Sequence, residues 1–140
     1  MNREDVIKRL ESAIEGSREL DANIAALAWP GAGAFYVTDG DRPQEVGAGE
    51  WLVLRRTAEG RVTKHRPADY TTSTDAALLL VPKMMGWEMT FLRREHLHMV
   101  GMDLRRNPEN GRYERFKGQA KTAPLAICSA ALRAAAEPTE

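Results

Sequence analysis

The chain holds one cysteine, Cys128, so an intrachain disulfide is impossible and a cysteine-rich zinc site is excluded. Aromatic residues are scarce, at 6%, which leaves few rings for stacking on bases or anchoring a partner. The longest apolar run, Ala76 to Pro82, falls far short of the roughly 20 residues that span a bilayer. Neither sign of charge is in excess, because 20 basic and 20 acidic side chains cancel. That balance gives no support to holding nucleic acid or an anionic membrane by bulk charge. A His-Glu-x-x-His spacing and a phosphate loop are also missing. Gly31-Ala32-Gly33-Ala34 runs into a strand pattern and opens no helix, so it lacks the setting of a dinucleotide loop.

What is present suits one compact domain over residues 1–140. At 43% hydrophobic and 29% charged, 140 residues can bury a real core. Met1-Asn2-Arg3-Glu4-Asp5 leads into an amphipathic pattern and no apolar signal core, so the expected setting is a reducing cytoplasm.

Asn2 caps a first helix, with Val6, Leu10, Ala13 and Ile14 as its buried stripe and Gly16 as its stop. Ser17 opens a second helical stretch, with Leu20, Ile24, Leu27 and Ala28 on one side, closed by Pro30-Gly31. The period then shifts. Phe35 to Thr38, Trp51 to Leu54 and Arg61 to Thr63 read as short strands, and Asp39 to Pro43 as a loop. Residues 31–66, rich in glycine, read as a hairpin or an inserted β arm. Ser73 or Thr72 caps a short buried helix that Pro82 bounds. Strands follow at Gly86 to Leu92, Leu97 to Leu104 and around Tyr113 to Phe116. Thr122 then caps an alanine-rich helix reaching about Ala136, with Leu125, Cys128, Ala131 and Leu132 as its apolar stripe. The expected class is α+β, a mostly antiparallel sheet packed between helices in the manner of an α/β/α sandwich.

Three stretches carry a resemblance. They are Arg18-Glu19-Leu20-Asp21-Ala22-Asn23-Ile24-Ala25, then Tyr70-Thr71-Thr72-Ser73-Thr74-Asp75-Ala76-Ala77-Leu78-Leu79-Leu80-Val81-Pro82 with Gly86-Trp87, and Ala123 to Ala134. In this order they resemble the small phage and prophage proteins of the phage ABA sandwich domain. The resemblance implies a sheet between helical layers and a phage origin, and brings no catalytic residues with it. Lys83-Met84-Met85 makes the step from Pro82 to Gly86 longer than the pattern implies.

Candidate chemistry is local. Glu95-His96-Leu97-His98 is the most metal-like cluster, because His96 and His98 share a face if both lie on a strand, and Asp103 or His65 would add a ligand. Glu19 and Asp21, two apart on a helix, point away from each other and cannot share a proton. Stabilising the helix start accounts for them, and for Asp75. Cys128 falls on an apolar stripe, as an inert core thiol does.

Charge distribution says more than net charge. Residues 1–50 carry 5 basic and 10 acidic side chains, and residues 51–122 carry 14 basic and 8 acidic. Three arginine pairs, Arg55-Arg56, Arg93-Arg94 and Arg105-Arg106, sit at strand ends. If those ends gather, they form a basic rim for a phosphate or a carboxylate-rich surface. The bland counterpart is basic residues protecting strand edges. Tyr36 and Trp51 add aromatic contact candidates, while Trp87 reads as core. The expected function is therefore a phage-encoded, non-catalytic accessory protein without cofactor. It would bind a host component in the cytoplasm of an infected or lysogenic bacterium, as an inhibitor of antiviral defence. A sponge for a small anionic ligand such as a nucleotide signal is the alternative. A metal enzyme at His96 and His98, and direct nucleic-acid binding, stand further back.

Overall fold

A computed structural model of the chain describes residues 2–31, 34–37, 42–56, 60–81, 86–92, 96–107 and 112–135. In chain order the elements are α1 (Arg3–Ser12), α2 (Arg18–Leu27), β1 (Ala28–Gly31), β2 (Ala34–Val37), β3 (Arg42–Gly47), β4 (Glu50–Arg56), β5 (Val62–His65), α3 (Thr74–Leu78), β6 (Gly86–Leu92), β7 (Leu97–Asn107), β8 (Arg112–Ala120) and α4 (Ala123–Ala135). All strand pairs are antiparallel and join neighbours in sequence: a β1-β2 hairpin and two three-stranded sheets, β3-β4-β5 and β6-β7-β8. The α+β class and the antiparallel pairing are as expected. The layering is more specific than a single sheet between helices, because α2 packs on the β3-β4-β5 sheet and α4 on the β6-β7-β8 sheet.

Local chemistry explains most of the boundaries. The Asn2 side chain accepts from the Asp5 amide at 2.9 Å, and Ser73 accepts from Ala76 at 3.2 Å, so each supplies an acceptor that the first helical turn lacks. Ser17 does the same for α2, accepting from Leu20 at 3.1 Å. Thr122 caps α4 through the Leu125 amide at 3.4 Å.

Four expectations are corrected. Helix α1 ends at Ser12, so Ile14 lies beyond the amphipathic repeat and is 77% exposed. Gly16 is no helix stop: a Cβ there would strike the Thr71 carbonyl, so the glycine permits a close chain crossing. Arg42 and Pro43, read as loop, begin β3, and Ala28, read as the end of α2, begins β1.

The segment between 42 and 65 packs onto the rest of the molecule. Val53 of β4 is fully buried in the same apolar cluster as Ile24 of α2 and Leu132 of α4. Trp51, proposed above as a contact residue, is half-buried and packs against that cluster. Strand alternation explains this, since Trp51 and Val53 share the face turned to α2.

Helix α4 is the centre of the fold. From Leu125 to Leu132 every residue is buried, so the expected single stripe is a helix covered on all sides. Alanine makes this possible by letting neighbours approach closely. Gly118 completes the fit, because a Cβ there would lie 2.6 Å from the Ala126 carbonyl oxygen. Among the described residues, no helix is long and apolar enough to cross a membrane.

Candidate functional site

Two carboxylates from the first two helices hold the fold together, and one of them borders the groove that forms the candidate site. Asp21 of α2 is fully buried. Its Oδ1 accepts from the Thr71 amide at 2.8 Å and the Thr71 hydroxyl at 2.7 Å. Its Oδ2 accepts from Arg18 at 2.7 Å. Arg18 also reaches Asp69 at 2.6 Å and the Pro67 carbonyl at 2.7 Å, fastening the segment before α3 onto α2. Alongside, the Cys128 thiol donates to the Tyr70 carbonyl at 3.2 Å. The three stretches that carry the resemblance thus meet at one point, in Asp21, Thr71 and Cys128. Burial pushes the Asp21 carboxyl above its ordinary range, against the pull of the Thr71 and Arg18 bonds. Burial likewise raises Cys128 far above a reactive thiol, and lifts the Tyr70 hydroxyl to about 12. Reading Asp21 as a helix-start charge accounts for its position in α2 and misses this long-range bond set.

The second carboxylate, Glu11 of α1, has donors of the same kinds. Arg133 of α4 clasps it with two nitrogens at 2.6 and 2.7 Å, Ser129 donates at 2.9 Å, and the Gln119 amide at 3.3 Å. Arg133 also donates to the Lys117 carbonyl at 2.8 Å. Strand β8 is an edge strand, and Lys117 and Gln119 turn their free backbone groups away from β7. The Glu11–Arg133 pair gives that edge the acceptor and the donor that an adjoining strand would give.

Beside this clasp an open groove of about 480 Å³ runs along β8, lined by Glu11, Met99, Arg115, Phe116, Lys117, Gly118, Gln119 and Arg133. Alternation along β8 turns Phe116, Gly118 and Ala120 inward to α4, and leaves Arg115, Lys117 and Gln119 exposed. The Arg115 guanidinium lies across Gly101 of β7, where a Cβ would collide with it. Glu11 is matched by Arg133, and Arg115 and Lys117 are exposed beside Met99, with Asp103 of β7 paired opposite Arg115 in the strand register.

The strand positions next to two of the arginine pairs lie apart in the sheet. Leu92, which Arg93 and Arg94 follow, pairs with Leu97, whereas Arg105 pairs with Tyr113 towards the other end of β7. Eight residues of strand separate those ends, on the order of 27 Å. Arg55 and Arg56 belong to the other three-stranded sheet. Arg55 is half-buried on the face turned to α2. Arg93 and Arg94 lie outside the described residues, as do the side chains of Arg56, Arg105, Arg106, Tyr36 and Trp87.

The histidines fare similarly. His96 is an exposed turn residue with φ of 51°, just before β7 begins, so it lies outside the strand alternation that was to align it with His98. His65 lies on β5, with its Nε2 2.8 Å from the Thr63 hydroxyl. Among the described residues no group of three or more His, Cys, Asp or Glu side chains could hold a metal ion.

Sequence reasoning missed Arg115, Lys117, Glu11 and Arg133. The alternation Arg115-Phe116-Lys117-Gly118-Gln119 was a readable signal for one polar and one packed face. Comparison with protein-family models, curated proteins and solved structures finds no match.

Proposed function

We propose that the protein is a non-catalytic accessory protein that binds a host component through the groove along β8. The observation that carries this reading is the groove itself, an apolar floor at Met99 beside the exposed cations Arg115 and Lys117. A surface of that kind pairs with carboxylate or phosphate groups and steers an anionic partner towards it. The described nucleophile candidate, Cys128, is buried with a raised pKa, which supports binding over catalysis. The finer reading is a phage-encoded inhibitor of bacterial antiviral defence, acting in the cytoplasm of an infected or lysogenic host. It draws on the resemblance of the three sequence stretches.

The test is a comparison of two immobilised proteins, wild type and Arg115→Glu/Lys117→Glu, in lysates of several bacteria. The expected result is a protein retained by the wild type and lost from the variant. Equal retention by both, or none by either, overturns the reading. A small anionic ligand is the second reading, because about 480 Å³ lies within the range of small-molecule sites. It predicts a thermal shift with nucleotides that the same double variant abolishes.

A further inference from the structure

We infer that the outer face of the β3-β4-β5 sheet is a second docking surface, and that its occupant is an amphipathic α-helix of a partner protein with acidic residues on both flanks of its apolar stripe. This goes beyond the proposed role of the β8 groove and does not rest on it. Alternation along β4 turns Trp51 and Val53 to α2 and the core, and turns Leu52 and Leu54 the other way. Both leucines are half-buried and stand outside the apolar core. Register puts Arg42 of β3 and Lys64 of β5 on either side of Leu54, and Gln44 beside Leu52. Val62, two residues before Lys64 on the same face, is 51% exposed. Arg42, Lys64 and, just beyond β5, Arg66 are exposed, and none forms an ion pair with another described residue. Among the described residues of this face the one acid is Glu50, at the turn end of β4.

The dimensions fit a helix. Neighbouring strands lie about 4.8 Å apart, so Arg42 and Lys64 stand about 10 Å apart across β4, close to the diameter of a helix. Leu52 and Leu54 are about 7 Å apart along the strand, and residues four apart on a helix rise about 6 Å. A helix laid along β4 therefore sets an i, i+4 apolar pair on the leucines and its flanking acids on Arg42 and Lys64. Helix α2 already packs on the opposite face of β3 and β4, so the sheet would carry a helix on each side. Glu50 reverses the sign at one end, so the acids belong to the half of the helix that lies over Leu54. A second copy of this face would set Arg42 and Lys64 against like charges. Single-stranded nucleic acid needs rings for its bases, and the ring of β4, Trp51, is on the other face. An anionic membrane takes up apolar groups that project, and the two leucines lie recessed between exposed Arg42, Gln44 and Lys64.

Two labelled helix-forming peptides of equal composition test the inference by fluorescence anisotropy. One places glutamates on both flanks of a leucine stripe, and the other moves the same glutamates to the face opposite the stripe. The flanked peptide is expected to bind the wild-type protein, to bind at least about tenfold more weakly to Arg42→Glu/Lys64→Glu, and to bind more weakly as salt rises. Leu54→Ser, which leaves the charges in place, should weaken binding too, and Arg115→Glu/Lys117→Glu should bind like the wild type. Circular dichroism checks the fold of each variant, and Arg42→Gln/Lys64→Gln, which adds no acid to the sheet, gives a smaller loss of the same sign. No binding of the flanked peptide, equal binding of the second peptide, or displacement by duplex DNA or phosphatidylserine vesicles overturns the inference. A loss in Arg115→Glu/Lys117→Glu as large as in Arg42→Glu/Lys64→Glu puts the peptide in the β8 groove and also overturns it. If the lysate experiment retains a partner that depends on Arg115 and Lys117 while the flanked peptide fails, the proposed function stands and the second surface falls.

Discussion

Asp21 and Glu11 face the same problem in two surroundings. Each is a helix carboxylate that accepts from an arginine, a hydroxyl and a backbone amide of a distant segment. Asp21 is sealed from water, and burial dominates, so its carboxyl titrates above the ordinary range. Glu11 is partly open to the groove. Burial there also pushes upward, but the bonds from Arg133, Ser129 and Gln119 together prevail and hold it below that range. With similar donors, the difference in exposure accounts for the opposite directions. A buried carboxylate spends most of its bonding on offsetting desolvation, whereas a half-buried one keeps a net gain.

Removing each carboxylate should separate the two most sharply. Asp21→Ala leaves the buried Thr71 amide without its acceptor, while the Thr71 hydroxyl keeps the Ser17 carbonyl at 3.1 Å, and takes one partner from Arg18, which keeps Asp69 and the Pro67 carbonyl. The expected loss is about 3 kcal/mol in urea unfolding, with the segment before α3 the first to lose amide-exchange protection. A loss below about 1 kcal/mol would mean that the node orients the chain and adds little to its stability. Glu11→Ala removes a partly exposed pair and should cost about 1–2 kcal/mol. Protection of the Gln119 amide should fall more than that of Val100, which lies in the middle of the sheet.

The smallest effect is the most specific, because the two carboxylates predict pH dependences of opposite sign. For Glu11 the folded-state pKa is lowered, so its contribution is full above the unfolded glutamate value of about 4.3 and is lost as pH falls through the folded value. For Asp21 the folded-state pKa is raised, so the folded protein takes up its proton first. Stability from that group grows as pH falls from the raised value towards about 3.9. Urea unfolding of Glu11→Gln and Asp21→Asn between about pH 6 and pH 3 should therefore give differences from wild type that slope in opposite directions. Slopes of the same sign would remove the distinction between the two sites.

The sequence made some of this legible and hid the rest for identifiable reasons. Caps were readable because Asn2, Ser17 and Ser73 act within three residues of themselves. The sheet formed by β6, β7 and β8 was readable because apolar alternation and the turn at Asn107 to Gly111 are local patterns. The groove was not, since it needs Glu11 from α1, Met99 from β7, Arg115 from β8 and Arg133 from α4. For the arginine pairs, adjacency in sequence says nothing about which end of a sheet a strand end occupies. Register places Leu92 and Arg105 towards opposite ends of the same two strands.

By itself, the sequence determined the α+β class, the helix caps, the lack of an intrachain disulfide and the unequal spread of charge behind the balance of 20 against 20. Each follows from composition or from contacts a few residues long. Tertiary structure alone decided that two ordinary helix carboxylates would behave differently, and which cations of the basic middle would share a groove. Both depend on how far water reaches each group, and that is set by chain segments up to 122 residues apart.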